Sequence, residues 1–324
     1  MGVLVGIDVG GTKVAFAAGD ATGRLHATER RPTALSGDGA TDVRGWAEAL
    51  RALLARAGIA PGAIDAIGVS VPSPFDPARG VVLNPPNLPG WREVPVRALL
   101  EDAFGVPVFL ENDANAAALA EWHFGAARGF EHVVYMTMST GVGGGLILGG
   151  RLHRGVMAGA GEVGHAPVEW DGEPCSCGLR GCLEAYVGGA AWTRRLRRMA
   201  PADSAVVALA GARDAVKPEH VVGAARSGDA FARGEMERWN EYVARGIVHL
   251  VFTLAPQVIV LGTIAVAAGE DLALAPIRAR VRERVWPALA RDLAILPAAL
   301  GESLPYHAAI GVALEGAKER AGSP

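Results

Sequence analysis

The sequence has little that suits a membrane-bound, secreted or nucleic-acid-binding protein. Only three cysteines occur among 324 residues, an odd number that makes a disulfide framework implausible. No apolar run reaches the roughly 18 residues of a membrane span, and the apolar N-terminal stretch is too short for a signal peptide. No basic patch stands out. We therefore expect a cytoplasmic protein with neither a membrane nor a nucleic-acid partner.

The composition of the sequence is apolar and rich in glycine. Half of the residues are hydrophobic, which is enough for a large core, and 43 are glycine, well above the average share of about 7%. The net charge is only −3. A chain of 324 residues is long for one domain and comfortable for two. The glycines predict many tight turns or loops lined by backbone.

Hydrophobic periodicity predicts strands and helices along the whole chain, opening with a β-meander. A proline-rich loop over 72–95 is longer than a typical connection, which favours a functional loop, and 151–182 lacks periodicity. The strands are predicted over 3–9, 14–19, a third soon after Gly23, 64–71, 106–110, 133–139, 146–150 and 258–262. The helices are predicted over 42–57, 95–104, 112–127, 229–254, 269–289 and 306–320.

Two glycine-rich turns, each between two predicted strands, are candidates for binding phosphate. Gly10–Thr12 closely follows Asp8, and Thr140–Gly143 lies about 130 residues later. Backbone N–H groups in such turns can converge on an anion, and a carboxylate at the strand end can hold Mg²⁺ through water. Neither turn fits a Walker or a Rossmann pattern. The similarity between these two strand–turn–strand segments is explained either by duplication of the fold or by chance recurrence of glycine-rich hairpins.

Asp113 is a candidate general base, because a hydroxyl nucleophile needs a nearby carboxylate to accept its proton. It follows a predicted strand and opens a predicted helix within Asn112–Asn115. Asparagine and aspartate are also the residues preferred at helix N-termini. From the local sequence alone, an ordinary helix cap is the favoured interpretation.

One histidine and all three cysteines form a candidate metal site. His165, Cys175, Cys177 and Cys182 are the Cys₃His set of a structural zinc site. The C-x-C-x₄-C spacing is tight, and the set uses every cysteine of the chain. Four protein ligands leave no open position for catalysis. The alternative is three reduced, buried cysteines without a metal.

Four stretches together resemble the ROK family (repressors, open reading frames, kinases). Asp8–Thr12 resembles the first phosphate loop of the superfamily of sugar kinases, heat-shock ATPases and actin. The others are Leu110–Ala116, Ser139–Gly145 with Gly161–His165, and Cys175–Glu184. Their order resembles the family's from about residue 3 to 320.

The resemblance implies an α/β fold of two ribonuclease-H-like or actin-like ATPase domains with a cleft between them. We expect a smaller domain, 1–112 plus a C-terminal helix at about 306–324, and a larger domain, 113–305, with a zinc-binding loop. The implied activity is an ATP-dependent hexokinase that turns glucose into glucose 6-phosphate. N-acetylglucosamine, N-acetylmannosamine and fructose remain alternative substrates, and a sugar-responsive regulator is the alternative outside enzymes.

The resemblance also assigns roles to individual residues, with Asp113 as the catalytic base. The expected sugar-binding residues are Ser73, Asn87, Asn112, Asp113, Glu162, His165 and Glu184. The expected nucleotide-binding residues, which serve ATP and Mg²⁺, are Asp8, Gly10, Gly11, Thr12, Lys13, Thr140, Gly141 and Gly262. The expected ligands of the structural Zn²⁺ are His165, Cys175, Cys177 and Cys182. Family members are often dimers or tetramers, so we expect a homodimer or homotetramer.

Two positions depart from the family pattern. Ser73 stands where a glycine between two prolines is common, and it is expected near the sugar. The loop expected to contact adenosine usually carries paired glycines, whereas this chain has Gly262 followed by Thr263 and Ile264. We expect these departures to influence sugar and nucleotide specificity.

Overall fold

The computed structural model describes residues 2–322, which form eleven strands and twelve helices. The first elements are β1 (Val3–Val9), β2 (Lys13–Gly19), β3 (Leu25–Pro32), α1 (Gly39–Arg56), β4 (Ile64–Val71), β5 (Phe75–Asp76), β6 (Val81–Val82), α2 (Val96–Phe104), β7 (Val108–Asn112), α3 (Asp113–His123), β8 (Val133–Met138) and β9 (Val142–Ile147). The rest are α4 (Glu184–Val187), α5 (Gly189–Met199), α6 (Ala205–Ala210), α7 (Pro218–Arg226), α8 (Ala230–Leu254), β10 (Val258–Leu261), α9 (Ile264–Gly269), α10 (Ala275–Arg282), α11 (Pro287–Asp292), β11 (Ala294–Pro297) and α12 (Leu304–Ala321).

Short helical turns supplement these elements, and no described helix is long and apolar enough to cross a membrane. A π-helical turn, Glu270–Leu274, joins α9 to α10. The 3₁₀ turns are Pro61–Ala63, Val156–Ala158, Val163–His165, Arg213–Ala215 and Gly301–Ser303.

The described chain divides into two compact units. The first comprises the chain up to Gly129, Arg154–Gly159 and the chain from Ala299 onward, and the second comprises Phe130–His153 and Ala160–Ala298. In this division 113–129, 154–159 and 299–305, which we expected in the larger domain, fall in the first unit. The physical reason is that α3 packs against α12, which also covers β1 and β4. Residues 1, 323 and 324 of the predicted smaller domain lie outside the described residues.

The first unit is a five-stranded mixed sheet in the order β3-β2-β1-β4-β7. Strands β1, β4 and β7 are parallel, and β2 and β3 complete the predicted meander. Helix α12 lies directly on the sheet: a Cβ atom at Gly68 would lie 2.1 Å from the carbonyl oxygen of Ala309. On the other face, α1 begins at its Asp38 cap and buries Trp46, Leu50 and Leu53.

The second unit repeats this arrangement on a smaller scale. Its sheet has the order β11-β10-β8-β9, with β8 antiparallel to β9 and parallel to β10, just as β1 is antiparallel to β2 and parallel to β4. The same strand pattern in both units favours duplication over chance. Helix α8 supplies much of the core, where Trp239 stacks on Trp192 with ring centroids 5.8 Å apart.

Two predicted elements differ from those observed. Strand β9 begins at Val142, so Gly143–Gly145 belong to the strand and pair with β8 instead of forming the turn. The single helix predicted over 269–289 is wrong: Gly269 has a φ of 82°, a π-helical turn follows it, and α10 ends before Pro287 begins α11. Strand β11 had not been predicted.

Candidate active site

The carboxyl ends of three parallel strands bring polar residues to one edge of the first unit's sheet. In the sheet register Asp8 pairs with Ser70 of β4, and Ser70 pairs with Glu111 of β7. Parallel strands end at the same edge, so the turn after Asp8, the loop with Ser73 and the start of α3 lie there together. Ser73 is exposed in that loop.

The first glycine turn is held by a residue that sequence analysis did not single out. The Gly10 N–H donates to the carbonyl of Lys13 at 2.9 Å, which closes the hairpin between β1 and β2. Thr33 donates from its hydroxyl to the carbonyl of Gly10 at 2.7 Å and from its N–H to the carbonyl of Thr12 at 2.9 Å. A Cβ atom at Gly11 would lie 3.4 Å from Asn87. No sequence signal marks Thr33.

The carboxyl of Asp8 sits in a strongly desolvated environment. Desolvation raises its pKa from 3.8 to about 6, and the negative charge of Asp113 adds to the rise. The Ser70 hydroxyl and the Arg30 guanidinium act in the opposite direction. Ser70 Oγ is buried and makes no hydrogen bond of normal geometry within the described residues. A cation with its water shell would satisfy both oxygen groups, so the residues fit a magnesium ion.

Asn112, and not Asp113, caps the helix that follows β7. Asn112 Oδ1 accepts the N–H of Asn115 at 2.7 Å, so the cap position is filled. Asp113 is exposed, and its Oδ1 accepts only the neighbouring Ala114 N–H at 2.9 Å among the hydrogen bonds resolved for the described chain. Although solvent reaches this residue, partial desolvation by the surrounding protein raises the pKa of Asp113. Its carboxylate is therefore available to accept a proton.

An ion pair with a buried carboxylate lies at the carboxyl end of β7. The carboxylate of Glu111 is 1% exposed, and its Oε1 accepts the N–H of Asn112 and the side-chain amide of Asn115, both at 3.0 Å. Arg154 donates to Glu111 Oε2 at 2.7 Å and to Glu319 of α12 at 2.7 Å. The Leu110–Ala116 motif contains Glu111, but its partner Arg154 could not be identified from sequence.

In the second unit the turn after β8 is tied to the start of α5. The N–H groups of Gly189 and Ala190 donate to the carbonyls of Ser139 and Thr140 at 2.7 and 2.9 Å. Gly141 follows, and a Cβ atom there would lie 2.4 Å from Glu184 Oε2. Backbone hydrogen bonds thus fix the turn, and the carboxylate of Glu184 fills the space that a side chain at Gly141 would need.

A cavity of about 750 Å³ opens beside this turn, within the size range of ligand pockets. Its lining mixes apolar and basic side chains, with Thr140, Thr193, Arg194, Lys217, Val222 and Ile264 among them. Gly262 lies nearby, since β10 pairs with β8 and the Gly262 N–H donates to the carbonyl of Met136 at 2.8 Å. A Cβ atom at Gly262 would lie 2.8 Å from the Tyr135 hydroxyl, so only glycine fits there.

Thr263, where the family often has a glycine, keeps a backbone conformation that suits glycine. Its φ is 46° and its ψ is −104°, and its side chain lines the cavity. The hydroxyl donates to the carbonyl of Met138 and lies 3.2 Å from the hydroxyl of Thr137. Side-chain hydrogen bonds therefore hold a strained residue at the cavity wall.

The four predicted metal ligands come together in the second unit. The Sγ atoms of Cys175, Cys177 and Cys182 and a ring nitrogen of His165 all lie within 4.8 Å of one another. Cys177 and Cys182 are 3.7 Å apart, and His165 Nδ1 is 3.8 Å from Cys175. A tetrahedral ion with bonds of about 2.3 Å separates its ligands by roughly 3.8 Å, so the set fits zinc. Burial raises the pKa of the Cys182 thiol, which a bound cation would reverse.

The remaining predicted sugar residues of this unit lie around the metal set. Val163 and Gly164 pack on β9, which places Glu162 and His165 beside that strand. His165 Nε2, the ring nitrogen away from Cys175, is 3.9 Å from Glu162 Oε2. Glu184 Oε1 accepts the Ser176 hydroxyl at 2.9 Å, and its Oε2 accepts the Val142 N–H at 2.9 Å. Sequence analysis did not single out Ser176, although it lies inside the cysteine motif.

Comparisons with known proteins identify the family of this chain. The ROK family profile matches residues 4–314. A glucokinase of Thermotoga maritima is 34% identical over 301 residues, covering 92% of this chain and 93% of the relative. The solved ROK hexokinase of Thermus thermophilus is 36% identical, with a TM-score of 0.83 over 98% of this chain and 99% of that one. A Streptomyces griseus ROK family glucokinase, solved with glucose and AMPPNP, is 33% identical, with a TM-score of 0.76 over 96% and 99%. The profile match and these relatives show that this chain belongs to the ROK family.

Proposed function

We propose that this protein is an ATP-dependent sugar kinase that phosphorylates glucose to glucose 6-phosphate. The observation that carries the proposal is the carboxylate of Asp113, which lies beside the Asn112 cap and accepts only the Ala114 N–H among the hydrogen bonds resolved for the described residues. The glucokinases and the hexokinase to which the chain is similar over more than nine-tenths of its length support the same activity.

In the proposed mechanism Asp113 accepts the proton of the attacking hydroxyl, which is the one on C6 of glucose. Loss of that proton makes the oxygen a competent nucleophile for in-line transfer of the γ-phosphoryl group. The raised pKa of Asp113 makes it a stronger base than an ordinary aspartate. Closure around the sugar would exclude water and limit ATP hydrolysis.

We assign nucleotide binding to the two glycine turns and to the cavity of the second unit. Gly10, Gly11, Thr12 and Lys13 form one turn, Thr140 and Gly141 the other, and their N–H groups would hold the phosphates. The cavity beside Thr140 would take the adenosine, with Gly262 close to it. Asp8, with Ser70 next to it, would hold the water shell of Mg²⁺, which neutralises charge on the phosphates.

We assign sugar recognition to a set of polar side chains. Asn112 and Asp113 follow β7, Asn87 lies against the first phosphate turn, and Ser73 follows β4. Glu162, His165 and Glu184 surround the metal set. A hexose ring presents several hydroxyls, and each of these side chains offers a donor or an acceptor.

We also propose that His165, Cys175, Cys177 and Cys182 hold a structural zinc ion. Zinc would cross-link a segment that lacks long helices or strands, and so fix the loop that carries Glu184. Reduced thiols and ATP as substrate suit the cytoplasm, where we place the protein. We further propose a homodimer or homotetramer. The exposed rings of Phe252 and Trp286 pack edge to face with their centroids 5.3 Å apart, and they form an apolar surface that association would cover.

One assay series tests the activity and the substrate together. Purified protein with ATP and Mg²⁺ is coupled to ADP detection and offered glucose, fructose, mannose, N-acetylglucosamine and N-acetylmannosamine. The proposal predicts the highest kcat/KM for glucose. A higher value for an acetylated sugar or for fructose would correct the substrate, and no ADP with any of the sugars would overturn the kinase assignment.

A further inference from the structure

Glu184 connects two parts of the second unit that sequence analysis treated separately, the cysteine loop and the second phosphate turn. One carboxylate oxygen, Oε1, accepts the Ser176 hydroxyl at 2.9 Å and lies 3.9 Å from Cys175 Sγ. The other, Oε2, accepts the Val142 N–H at 2.9 Å, immediately after the turn. Each oxygen therefore contacts a different part of the chain.

The glycines around Glu184 fit this double contact. A Cβ atom at Gly141 would lie 2.4 Å from Glu184 Oε2, and one at Gly188 would lie 3.0 Å from Glu184 Cγ. A side chain at either position would push the carboxylate out of place. The absence of side chains at Gly141 and Gly188 allows Glu184 to reach the turn.

The chain continues from Glu184 into further contacts with the same turn. The N–H groups of Gly189 and Ala190, five and six residues later, donate to the carbonyls of Ser139 and Thr140. Three hydrogen bonds from 184–190 thus fix the conformation of the turn, and only the one from Glu184 comes from a side chain. Upstream, Cys182 is one of the four candidate metal ligands.

We propose that Glu184 is a positioning residue for nucleotide binding, which links the conformation of the phosphate turn to the cysteine loop. The proposal rests on the function proposed above and deepens it. Its physical basis is preorganisation: a turn held in its binding conformation loses less entropy when phosphate binds. Loss of the link weakens nucleotide binding, whereas a residue that only contacts the sugar would leave nucleotide binding intact.

The test measures nucleotide binding directly, by calorimetry with Mg²⁺ and a non-hydrolysable ATP analogue and without sugar. For Glu184→Ala we expect the Kd for the nucleotide to rise about tenfold, because the turn loses its side-chain support. The Kd of Glu184→Gln should equal that of wild type, since the amide oxygen can accept the Val142 N–H while the amide N–H donates to Ser176. Bound zinc, measured by elemental analysis, should be unchanged in Glu184→Gln.

Two further variants separate this role from general damage. Glu173→Ala removes an exposed carboxylate of the same loop that has no resolved side-chain contact in the described chain, and it should bind nucleotide like wild type. Ser176→Ala removes one end of the link and should raise the Kd about threefold. If Glu184→Ala fails to fold, Ser176→Ala decides the question alone.

The outcomes distinguish this proposal from the function on which it rests. Unchanged nucleotide Kd values in Glu184→Ala and Ser176→Ala, with glucose binding lost in Glu184→Ala, would overturn the positioning role and leave a sugar ligand. A wild-type protein that binds no nucleotide would overturn the kinase assignment instead. A tenfold effect in Glu184→Gln as large as that in Glu184→Ala would show that the negative charge matters and not the link.

Discussion

Asn112 and Asp113 divide two tasks at the start of α3. Asn112 Oδ1 accepts the Asn115 N–H at 2.7 Å and caps the helix, while the carboxylate of Asp113 projects without a cap role. Two adjacent residues that both favour helix N-termini are thus distinguished by geometry. A substitution at Asp113 can therefore change chemistry without removing the cap.

The acidic limb of the pH–activity profile should lie above the range of an ordinary aspartate. The base must be ionised to act, and the pKa of Asp113 is raised by desolvation, so activity falls as pH decreases through that raised value. At saturating ATP and Mg²⁺, kcat/KM for glucose should fall tenfold per pH unit below an apparent pKa clearly above about 4. An acidic limb that lies at or below the range of an ordinary aspartate would contradict this expectation.

Asp8→Asn should stabilise the nucleotide-free protein at neutral pH. The pKa of Asp8 is about 6 in the folded state against 3.8 ordinarily, so the folded state binds this proton more tightly and loses stability as pH rises between these values. The full pKa shift corresponds to about 3 kcal/mol in the free energy of unfolding. Partial solvent contact of the carboxylate reduces the expected gain in stability to about 2 kcal/mol.

Urea unfolding in the presence of a chelator measures this effect of Asp8→Asn. The gain in the free energy of unfolding relative to wild type should be complete above pH 6.5 and absent below pH 4. Asp102→Asn, at an exposed position of α2, is the control and should follow wild type at every pH. A gain for Asp8→Asn that does not depend on pH would show that burial of the charge is not its cause.

Thr263→Gly should stabilise the protein by about 1 kcal/mol. Glycine adopts a φ of 46° with a ψ of −104° readily, whereas other residues in such regions are strained by about 1 to 3 kcal/mol, and the lost hydroxyl contact offsets part of the gain. Thr263→Ala keeps the strain and loses the hydrogen bond, so it should be less stable than wild type. Thermal unfolding of the three proteins checks this order, and a glycine variant less stable than the alanine variant would refute it.

The cysteine cluster should carry one zinc ion per chain. Cys182→Ser removes a buried ligand, so zinc should be lost and the unfolding midpoint should fall by at least about 5 °C. Ser176→Ala, between two ligands but with its hydroxyl directed to Glu184, should retain zinc. Elemental analysis that finds clearly less than one zinc in undamaged wild-type protein would refute the site.

Much of the fold could be predicted from periodicity because its elements are long or strongly patterned. Strands β1 and β4 and helix α8 match their predicted ranges closely. Residues 269–289 could not be predicted, since a π-helical turn and Pro287 interrupt a pattern that is helical on average. Strand β11 has only four residues, and its pairing with β10 is a tertiary contact that local sequence does not reveal.

In the candidate site, too, residues with a local sequence signal could be predicted, whereas residues that act through distant contacts could not. His165 and the three cysteines could be identified because their side-chain chemistry is rare and their spacing short. Thr33 and Arg154 act through contacts across 23 and 43 residues of sequence, which no local pattern records. Glu184 was predicted as a sugar-binding residue. Its hydrogen bonds with Ser176 and Val142 depend on the tertiary structure, which brings the cysteine loop next to the turn after β8.

The most direct test of the account is the turnover of Asp113→Asn with ATP, Mg²⁺ and glucose. The asparagine keeps the size of the side chain, and the cap belongs to Asn112, so the unfolding midpoint should not fall below that of wild type and the Kd for glucose should stay close to it. The kcat should fall about 1000-fold, because no group then accepts the hydroxyl proton. A kcat near that of wild type would contradict the central claim.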